Sequence, residues 1–389
     1  MTFSLFAVAT LTCALLMGLL PVLVDGIQKP IEARLGLPVG RAVWFGRLFY
    51  LAWLPGMPAA GWFLDAWPNR EILFLGLIAL ILGMAWLALL RDLPSLLLNS
   101  LLLGTAYSLI TTATVRLMTV AFFPEESVEY RLNLASLNLG FVMVGLGALV
   151  GPWLVQAIEH WWGPRQGLLY FSVLLIAPAA LVALCEREIF PEPRLNTTPW
   201  LELATHPYLM LAVFVILVYF ALENLLEYWP EAFLRDIQYQ DRGVKFNLIV
   251  FGLAFIATRG AAAWWFYFYP DHGIVVTFLF VIGSAFVLGN LAGGFDVGSG
   301  TLGFWLAGAC YGPILPGLLG MALDFYAPNP LPGSALGVLL ALSGLDTLLM
   351  RPIMDKFARG RPARSVMRAP TFLAIVLAAP LLLLAFLRN

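Results

Sequence analysis

The chain has 389 residues, of which 61% are hydrophobic and 12% are charged, about half the charged share of a soluble globular protein. A mean hydropathy of +0.88 excludes a soluble enzyme, a nucleic-acid binder and a disordered protein, and a net charge of −1 gives no long-range attraction to nucleic acid. The composition therefore indicates a protein that is embedded in a lipid bilayer.

Twelve apolar runs follow one another along the chain, and each is long enough to cross the hydrocarbon core, which takes about 20 residues. They lie near residues 3–25, 40–64, 71–90, 95–122, 133–158, 166–185, 205–232, 246–268, 273–291, 299–325, 333–353 and 369–387. The first run has no basic start and continues into Asp25, so we predict a span there and not a cleaved signal peptide. The pattern predicts an all-α membrane protein whose short connections leave no room for a soluble catalytic domain.

The least apolar connection, residues 186–204, is rich in Pro and charged residues and lies at the middle of the chain. It predicts an N-terminal six-helix bundle (1–185) and a C-terminal six-helix bundle (205–389). Membrane carriers are commonly built from such repeats, with the substrate site at their interface. A weak internal repeat supports this division, because a shift of 204 residues superimposes Gly104, Tyr107 and Pro124 on Gly308, Tyr311 and Pro328.

Residues 61–70 read GWFLDAWPNR and resemble the signature that the major facilitator superfamily carries after its second helix. Gly61 and Asp65 fit that signature, Arg70 takes its basic place, and Pro68 stands where a second Gly is usual. The resemblance implies twelve transmembrane helices in two pseudo-symmetric six-helix bundles. It also implies that Gly61, Asp65 and Arg70 belong to a gate motif, in which Asp65 accepts hydrogen bonds from a facing helix terminus or pairs with Arg116. Arg116 lies toward the same end of its span as Asp65, so we favour a gate-closing ion pair over contact with the substrate and count Arg116 with the motif.

Three further stretches, residues 49–65, 120–126 and 130–154, resemble the fucose-permease branch of sugar:proton symporters. Asp25 matches the acidic residue of that branch's first helix, which implies a carboxylate that faces a cavity. Ile110 departs from the branch, because it stands at the place of an acidic residue in the fourth helix. Substrate and proton coupling are therefore not inherited from the resemblance alone.

Ionisable side chains are costly near the bilayer centre, so each one inside a predicted span is a candidate functional group. Glu223 and Glu227 are four residues apart and share one helix face, where their repulsion makes one of them bind a proton more readily. Each acid also has an ordinary interpretation, because Asp25 ends its apolar run and Glu227 approaches the water interface. We predict that Asp25 carries the coupling proton, with Glu223 as the alternative acceptor.

Two arginines in the spans favour a different substrate. Arg47 and Arg259 lie in the repeat-paired second and eighth spans, where they could clamp an anion, which leaves an organic-anion carrier as an alternative to a sugar carrier. The other substrate-site candidates are polar or aromatic residues that suit a sugar ring, although aromatic residues also form membrane-interface belts. They are Tyr107, Asn138, Tyr219 and Tyr311.

The distribution of Lys and Arg conflicts with the orientation of the superfamily. With a cytoplasmic amino terminus, the cytoplasmic side carries five basic residues (Arg70, Arg131, Arg187, Arg194 and Arg388) and the other side thirteen, against the positive-inside rule. The thirteen are Lys29, Arg34, Arg41, Arg91, Arg165, Arg235, Arg242, Lys245, Lys356, Arg359, Arg361, Arg364 and Arg368. We favour the family orientation, because the gate motif has a mechanical role on the cytoplasmic side.

The expected function is secondary active transport of a small polar solute by alternating access, with a sugar-like substrate and proton symport preferred. The phosphate-binding pattern GxxxxGK[ST] does not occur, so the energy comes from a gradient or the transport is passive. The alternatives are an organic-anion carrier of the same fold and a non-transporting receptor or assembly protein.

No enzyme, metal or cofactor is expected. The three cysteines and three histidines show no metal-ligand spacing, and no nucleophile stands beside a base and a carboxylate. The expected partners are a small-molecule substrate, protons and the lipid bilayer, with no nucleic acid and no required oligomer. We expect a multi-pass protein of a bacterial inner (plasma) membrane.

Overall fold

A computed structural model describes residues 4–123, 132–186, 190, 206–228, 230–236, 241–293, 297–325, 333–358 and 360–388. Over these ranges the secondary structure is helical apart from turns and short connections, and it contains no strand. The prediction of an all-α protein is confirmed. Most of the predicted central linker, residues 186–204, lies outside the described residues.

Among the described residues, twelve helical segments correspond in order to the twelve predicted spans. We number them α1 (Leu5–Gly26), α2 (Val43–Ala66), α3 (Asn69–Leu89), α4 (Leu93–Ala121), α5 (Asn133–Trp162), α6 (Pro164–Leu184), α7 (Pro207–Tyr228), α8 (Asp241–Phe268), α9 (Gly273–Gly293), α10 (Val297–Tyr311 and Ile314–Phe325), α11 (Gly333–Ala358) and α12 (Arg368–Arg388). Short helices Gln28–Leu35, Pro230–Asp236 and Ala363–Val366 lie in connections.

The lengths and the apolar composition of these helices match the thickness of a lipid bilayer. Eight helices among the described residues are long and apolar enough to cross a membrane. Shorter apolar stretches occur in α7, α11 and α12 (Pro207–Glu223, Gly333–Leu349 and Arg368–Leu384), and α2 has 24 residues, enough for about 30 Å of hydrocarbon. Exposed tryptophans lie near the ends of α2, α5 and α8, as in an interfacial aromatic belt; they are Trp62, Trp67, Trp161, Trp162, Trp264 and Trp265.

Polar residues fix several helix ends. Ser4 caps α1, where its hydroxyl accepts a hydrogen bond from the Ala7 amide at 3.2 Å. Asp92 caps α4 by accepting from the Ser95 amide at 2.8 Å. These hydrogen bonds from Ser95 lower the pKa of the Asp92 carboxyl, so the cap is present at neutral pH and is lost as the carboxyl becomes protonated in acid.

The fold comprises two compact units. One is formed by residues 1–124, 143–197 and 332–345, and the other by residues 125–142, 198–331 and 346–389. The predicted bundles follow the chain (1–185 and 205–389), whereas α5 and α11 each contribute to both units. We call the two units the first and the second unit and describe each by itself.

Glycines bring helices of the first unit into backbone contact. A Cβ on Gly147 of α5 would lie 2.0 Å from the carbonyl oxygen of Leu15 in α1, and a Cβ on Gly18 would lie 1.8 Å from the carbonyl oxygen of Val144. The helices therefore pack more closely than any side chain at these positions would permit, which is how small residues act in membranes.

The repeat-paired glycines make the same kind of contact in each unit. A Cβ on Gly104 of α4 would lie 2.4 Å from the carbonyl oxygen of Phe49 in α2. In the second unit, a Cβ on Gly308 of α10 would lie 2.8 Å from the carbonyl oxygen of Phe251 in α8. This equivalence supports the internal repeat, although its paired prolines, Pro124 and Pro328, lie outside the described residues.

The close packing of α1 and α5 predicts a stability effect at Gly147. Gly147→Ala forces two backbones apart, so we expect its thermal midpoint in detergent to fall by about 5 °C. Gly260→Ala is the matched control, because only Val142 comes within 4.0 Å of its new Cβ. An unchanged midpoint for Gly147→Ala would contradict the contact.

Candidate functional site

Asp65, at the end of α2, receives the amino terminus of α11 in the first unit. Its Oδ1 accepts a hydrogen bond from the Gly333 amide at 2.7 Å, and its Oδ2 accepts one from the Ser334 amide at 3.0 Å. Both amides belong to the first turn of the helix, which has no backbone acceptors for them. The carboxylate therefore satisfies two amides and complements the positive end of the helix dipole.

Arg116 of α4 completes this arrangement. Its guanidinium donates to Asp65 Oδ1 at 3.2 Å and to the Leu64 carbonyl at 3.0 Å. The two side chains are each 11% exposed, so solvent screens the pair weakly. Asp65 thus contacts both partners proposed for it from the sequence, the facing helix terminus and Arg116.

The other two residues of the gate motif, Gly61 and Arg70, contact different helices. A Cβ on Gly61 would lie 2.0 Å from the Gly333 carbonyl oxygen, so this glycine lets α2 approach the start of α11. The Arg70 guanidinium donates to the Val182 carbonyl at 3.2 Å and to the Ala183 carbonyl. Arg70 therefore caps the carboxyl end of α6, where a cation complements the helix dipole.

Asp25, in the last turn of α1, accepts hydrogen bonds from two neutral side chains. The Tyr50 hydroxyl donates to Oδ2 at 2.9 Å, and the Gln28 amide donates to Oδ1 at 3.0 Å. Gly46 leaves room for this contact, because a Cβ there would lie 2.4 Å from Gln28 Nε2. Both of these donors are neutral side chains.

Aromatic rings connect the neighbourhood of Asp25 to α4. Tyr50 meets Trp53 edge to face at 4.8 Å between centroids, and Trp53 stacks on Tyr107 at 4.5 Å with an interplanar angle of 17°. The Tyr107 hydroxyl donates to the Met17 carbonyl at 3.0 Å. We call Asp25, Tyr50, Trp53 and Tyr107 the aromatic cluster.

Buried polar atoms without a hydrogen-bond partner lie on and next to this cluster. Among the described residues they include the Trp53 indole nitrogen and the hydroxyls of Thr112 and Thr114, and burial without a partner is costly. Both threonines belong to the stretch 110–114 of α4, which contains three threonines and no acid. This part of α4 therefore offers hydroxyl groups.

In the second unit, Glu223 of α7 lies with the tyrosine candidates. The Tyr219 hydroxyl donates to Glu223 Oε1 at 3.0 Å, and the Tyr219 and Tyr311 rings are 6.3 Å apart. The charges of Glu223 and Arg259 interact. These four residues, named from the sequence as separate candidates, form one group, and we call it the acidic cluster.

Arg259 is 2% exposed and is held by main-chain oxygens and aromatic rings. Nε donates to the Gly312 carbonyl at 2.7 Å, and a terminal nitrogen donates to the Phe141 carbonyl at 2.9 Å. The guanidinium lies 4.0 Å from the centroid of the Phe255 ring, a cation–π distance.

The sequence around residue 312 explains why its carbonyl is available to Arg259. Residue 316 is a proline, which has no N–H to donate to the Gly312 carbonyl four residues earlier. A second proline, Pro313, follows directly, and α10 is interrupted between Tyr311 and Ile314. Arg259 therefore stabilises an interruption of α10, which is a structural use of its donors.

The remaining candidates lie elsewhere. The Arg47 guanidinium is exposed and lies 5.0 Å from the centroid of the Trp44 ring. The buried Asn138 side chain donates to the Leu134 carbonyl at 2.9 Å, and its Oδ1 has no hydrogen-bond partner. Glu227 belongs to α7, but its side chain lies outside the described part of the structure.

One contact was missed by the sequence reasoning. Asp324, at the end of α10, accepts a hydrogen bond from Asn133 at the start of α5 at 2.7 Å, and α5 packs there against Gly273 and Gly320. An acid again contacts the start of a helix, as Asp65 does. A buried acid before a loop and an Asn that starts the next helix were its only signals.

Metal chemistry has no support within the described ranges, where no group of three or more His, Cys, Asp and Glu side chains is placed to hold an ion. The two clusters instead combine carboxylates, phenolic hydroxyls and aromatic faces. Such groups bind protons and polar or ring-shaped solutes.

The sequence matches the Major Facilitator Superfamily over residues 2–345. The chain belongs to this superfamily, whose members are transporters and not enzymes. No curated protein sequence gives a significant match.

Solved structures of low sequence identity share the fold. The E. coli fucose:proton symporter FucP matches with 14% identity and a TM-score of 0.75, covering 99% of this chain and 98% of that chain. A FucP structure in the outward conformation matches with 16% identity and a TM-score of 0.74, covering 100% of this chain and 98% of that chain. The human organic anion transporter MFSD10 (TETRAN) matches with 16% identity and a TM-score of 0.73, covering 97% of this chain and 97% of that chain.

The Asp65 geometry predicts a defect in transport and not in substrate affinity. Asp65→Asn removes the charge that Arg116 and the start of α11 share, so we expect transport by reconstituted protein to fall about tenfold. Equilibrium binding of the same substrate should stay within about twofold. Asp92→Asn is the matched control, since asparagine also caps helices, and equal losses of binding and transport in Asp65→Asn would instead place Asp65 in the substrate site.

Proposed function

We propose that this protein is a proton-coupled secondary transporter of a small, neutral, sugar-like solute, working by alternating access. The observation that carries the proposal is the aromatic cluster, in which Asp25 is hydrogen-bonded by Tyr50 at 2.9 Å beside stacked Trp53 and Tyr107 rings. Carboxylate and hydroxyl groups next to aromatic faces suit the hydroxyls and the apolar face of a sugar ring.

Proton coupling rests on the kind of partners that Asp25 has. Tyr50 and Gln28 are neutral donors, and either can rotate when the carboxylate takes up a proton. A substrate hydroxyl can replace them, which links protonation to occupancy. Each proton that moves down about 100 mV provides about 2.3 kcal/mol, enough for about 50-fold accumulation of a neutral solute.

Glu223 is the alternative proton acceptor. It accepts a hydrogen bond from the Tyr219 hydroxyl at 3.0 Å. Asp25 is the first choice, because it is hydrogen-bonded by Tyr50 beside the stacked rings of Trp53 and Tyr107.

An organic anion is the less favoured substrate. The arginine best placed to bind one, Arg259, gives two donors to backbone carbonyls, and Arg47 lies exposed over Trp44. We also propose the family orientation in a bacterial inner membrane, with the gate motif on the cytoplasmic side. The third alternative, a non-transporting receptor, is also less favoured, because such a protein would need neither a site that exchanges protons nor a site that binds a substrate.

The test separates uphill transport from exchange. In proteoliposomes loaded with substrate, Asp25→Asn should abolish pH-driven uphill uptake, a loss of at least about 50-fold. Counterflow exchange should remain, since exchange requires no net proton release. Glu223→Gln should keep uphill uptake if Asp25 is the carrier.

Asp271→Asn serves as the control, because Asp271 is an exposed carboxylate in the connection between α8 and α9. Undiminished uphill uptake in both Asp25→Asn and Glu223→Gln would refute proton coupling through these clusters. Loss of exchange together with uphill uptake would place Asp25 in substrate binding only.

A further inference from the structure

The connection between α11 and α12 carries a dense positive charge that the proposed function does not use. Residues 356–368 read KFARGRPARSVMR and contain five basic residues and no acidic one. We call these residues the basic segment. The five are Lys356, Arg359, Arg361, Arg364 and Arg368.

The described part of the basic segment has an apolar side and a basic side. Val366 and Met367 are each 1% exposed, and Val366 packs against Phe357, Ala369 and Leu373. The buried apolar residues fix the segment to the second unit.

The basic side is open to its surroundings. Lys356, Arg361 and Arg368 are exposed, and the Arg361 guanidinium lies 4.1 Å from the centroid of the Phe357 ring. A guanidinium stacked on a ring keeps its N–H edges free to form paired hydrogen bonds with a phosphate. The side chains of Arg359 and Arg364 lie outside the described residues.

Two features determine which anion can reach this surface. The spanning helices end at Ala358 and begin again at Arg368, so the segment lies at the depth of the lipid headgroups. The short helix Ala363–Val366 packs against the helix Pro230–Asp236, whose Arg235 is already paired with Glu231 at 2.9 Å. Glu231, an acid of that helix, therefore already has a cation partner.

We propose that Lys356, Arg361 and Arg368 of the basic segment bind the phosphate groups of anionic phospholipids. Charge complementarity carries the inference, since exposed cations beside a transmembrane helix attract anionic headgroups and a guanidinium pairs with phosphate. The proposal is independent of the transported solute. It also gives the basic excess on this side a role other than setting the membrane orientation.

The test titrates phosphatidylglycerol into the full-length protein in detergent and follows the thermal midpoint, with phosphatidylcholine as the neutral comparison. Phosphatidylglycerol should raise the midpoint of the native chain, and the concentration required should increase at least about tenfold in the variant Lys356→Gln, Arg361→Gln, Arg368→Gln. The charge-retaining variant Lys356→Arg, Arg361→Lys, Arg368→Lys should respond as the native chain does, which separates charge from misfolding.

The matched control neutralises three other exposed arginines, Arg41, Arg91 and Arg165, in connections that the topology assigns to the same membrane side. It should keep the native response. Equal stabilisation by phosphatidylcholine, an equal loss in this control, or equal stabilisation by free glycerol phosphate would overturn the proposal, because each removes the need for an anionic lipid at the basic segment.

Discussion

The structure depends on one constraint: every helix end and every charge inside a bilayer needs a partner from the protein itself. Asp65 meets this constraint twice, by accepting the first amides of α11 and by pairing with Arg116. Arginines satisfy the same constraint at the carboxyl ends of helices. Arg70 donates to the last carbonyls of α6, and Arg34 donates to the Leu87 carbonyl at the end of α3 at 2.8 Å. Charged residues of the family signature thus join helices that are distant in sequence.

The same constraint separates structural charges from functional ones. Arg259 is satisfied by carbonyls that cannot move without a change in the backbone, and one of these is free because Pro316 has no N–H. The Asp25 carboxylate accepts hydrogen bonds from the Tyr50 and Gln28 side chains, which can rotate. A charge with exchangeable partners can bind a proton or a substrate and return to its earlier state. For this reason the proposed coupling site is Asp25, although both residues lie in predicted spans.

Much of the fold could be predicted from the sequence, because a span of about 20 apolar residues has few structural solutions in a membrane. The contact between Asp65 and Arg116 could also be predicted, since the signature marks Asp65 and Arg116 lies toward the same end of its span. The partners of Asp25 and Arg259 were not, because they depend on how separate helices face each other. Hydropathy does not encode that rotation. The contact between Asp324 and Asn133 was missed because no sequence motif marks either residue, although the start of α5 needs a partner.

Binding of a neutral solute is the central claim, and a thermal-shift screen of the purified native protein tests it most directly. The ligands are neutral sugars, organic acids and lipophilic cations, each over a wide concentration range at constant pH and ionic strength. A bound ligand at about 100 times its dissociation constant adds about 2.7 kcal/mol of apparent stability. Our account predicts a concentration-dependent rise of the midpoint with at least one neutral sugar and no rise with organic acids. A rise with organic acids alone would contradict it.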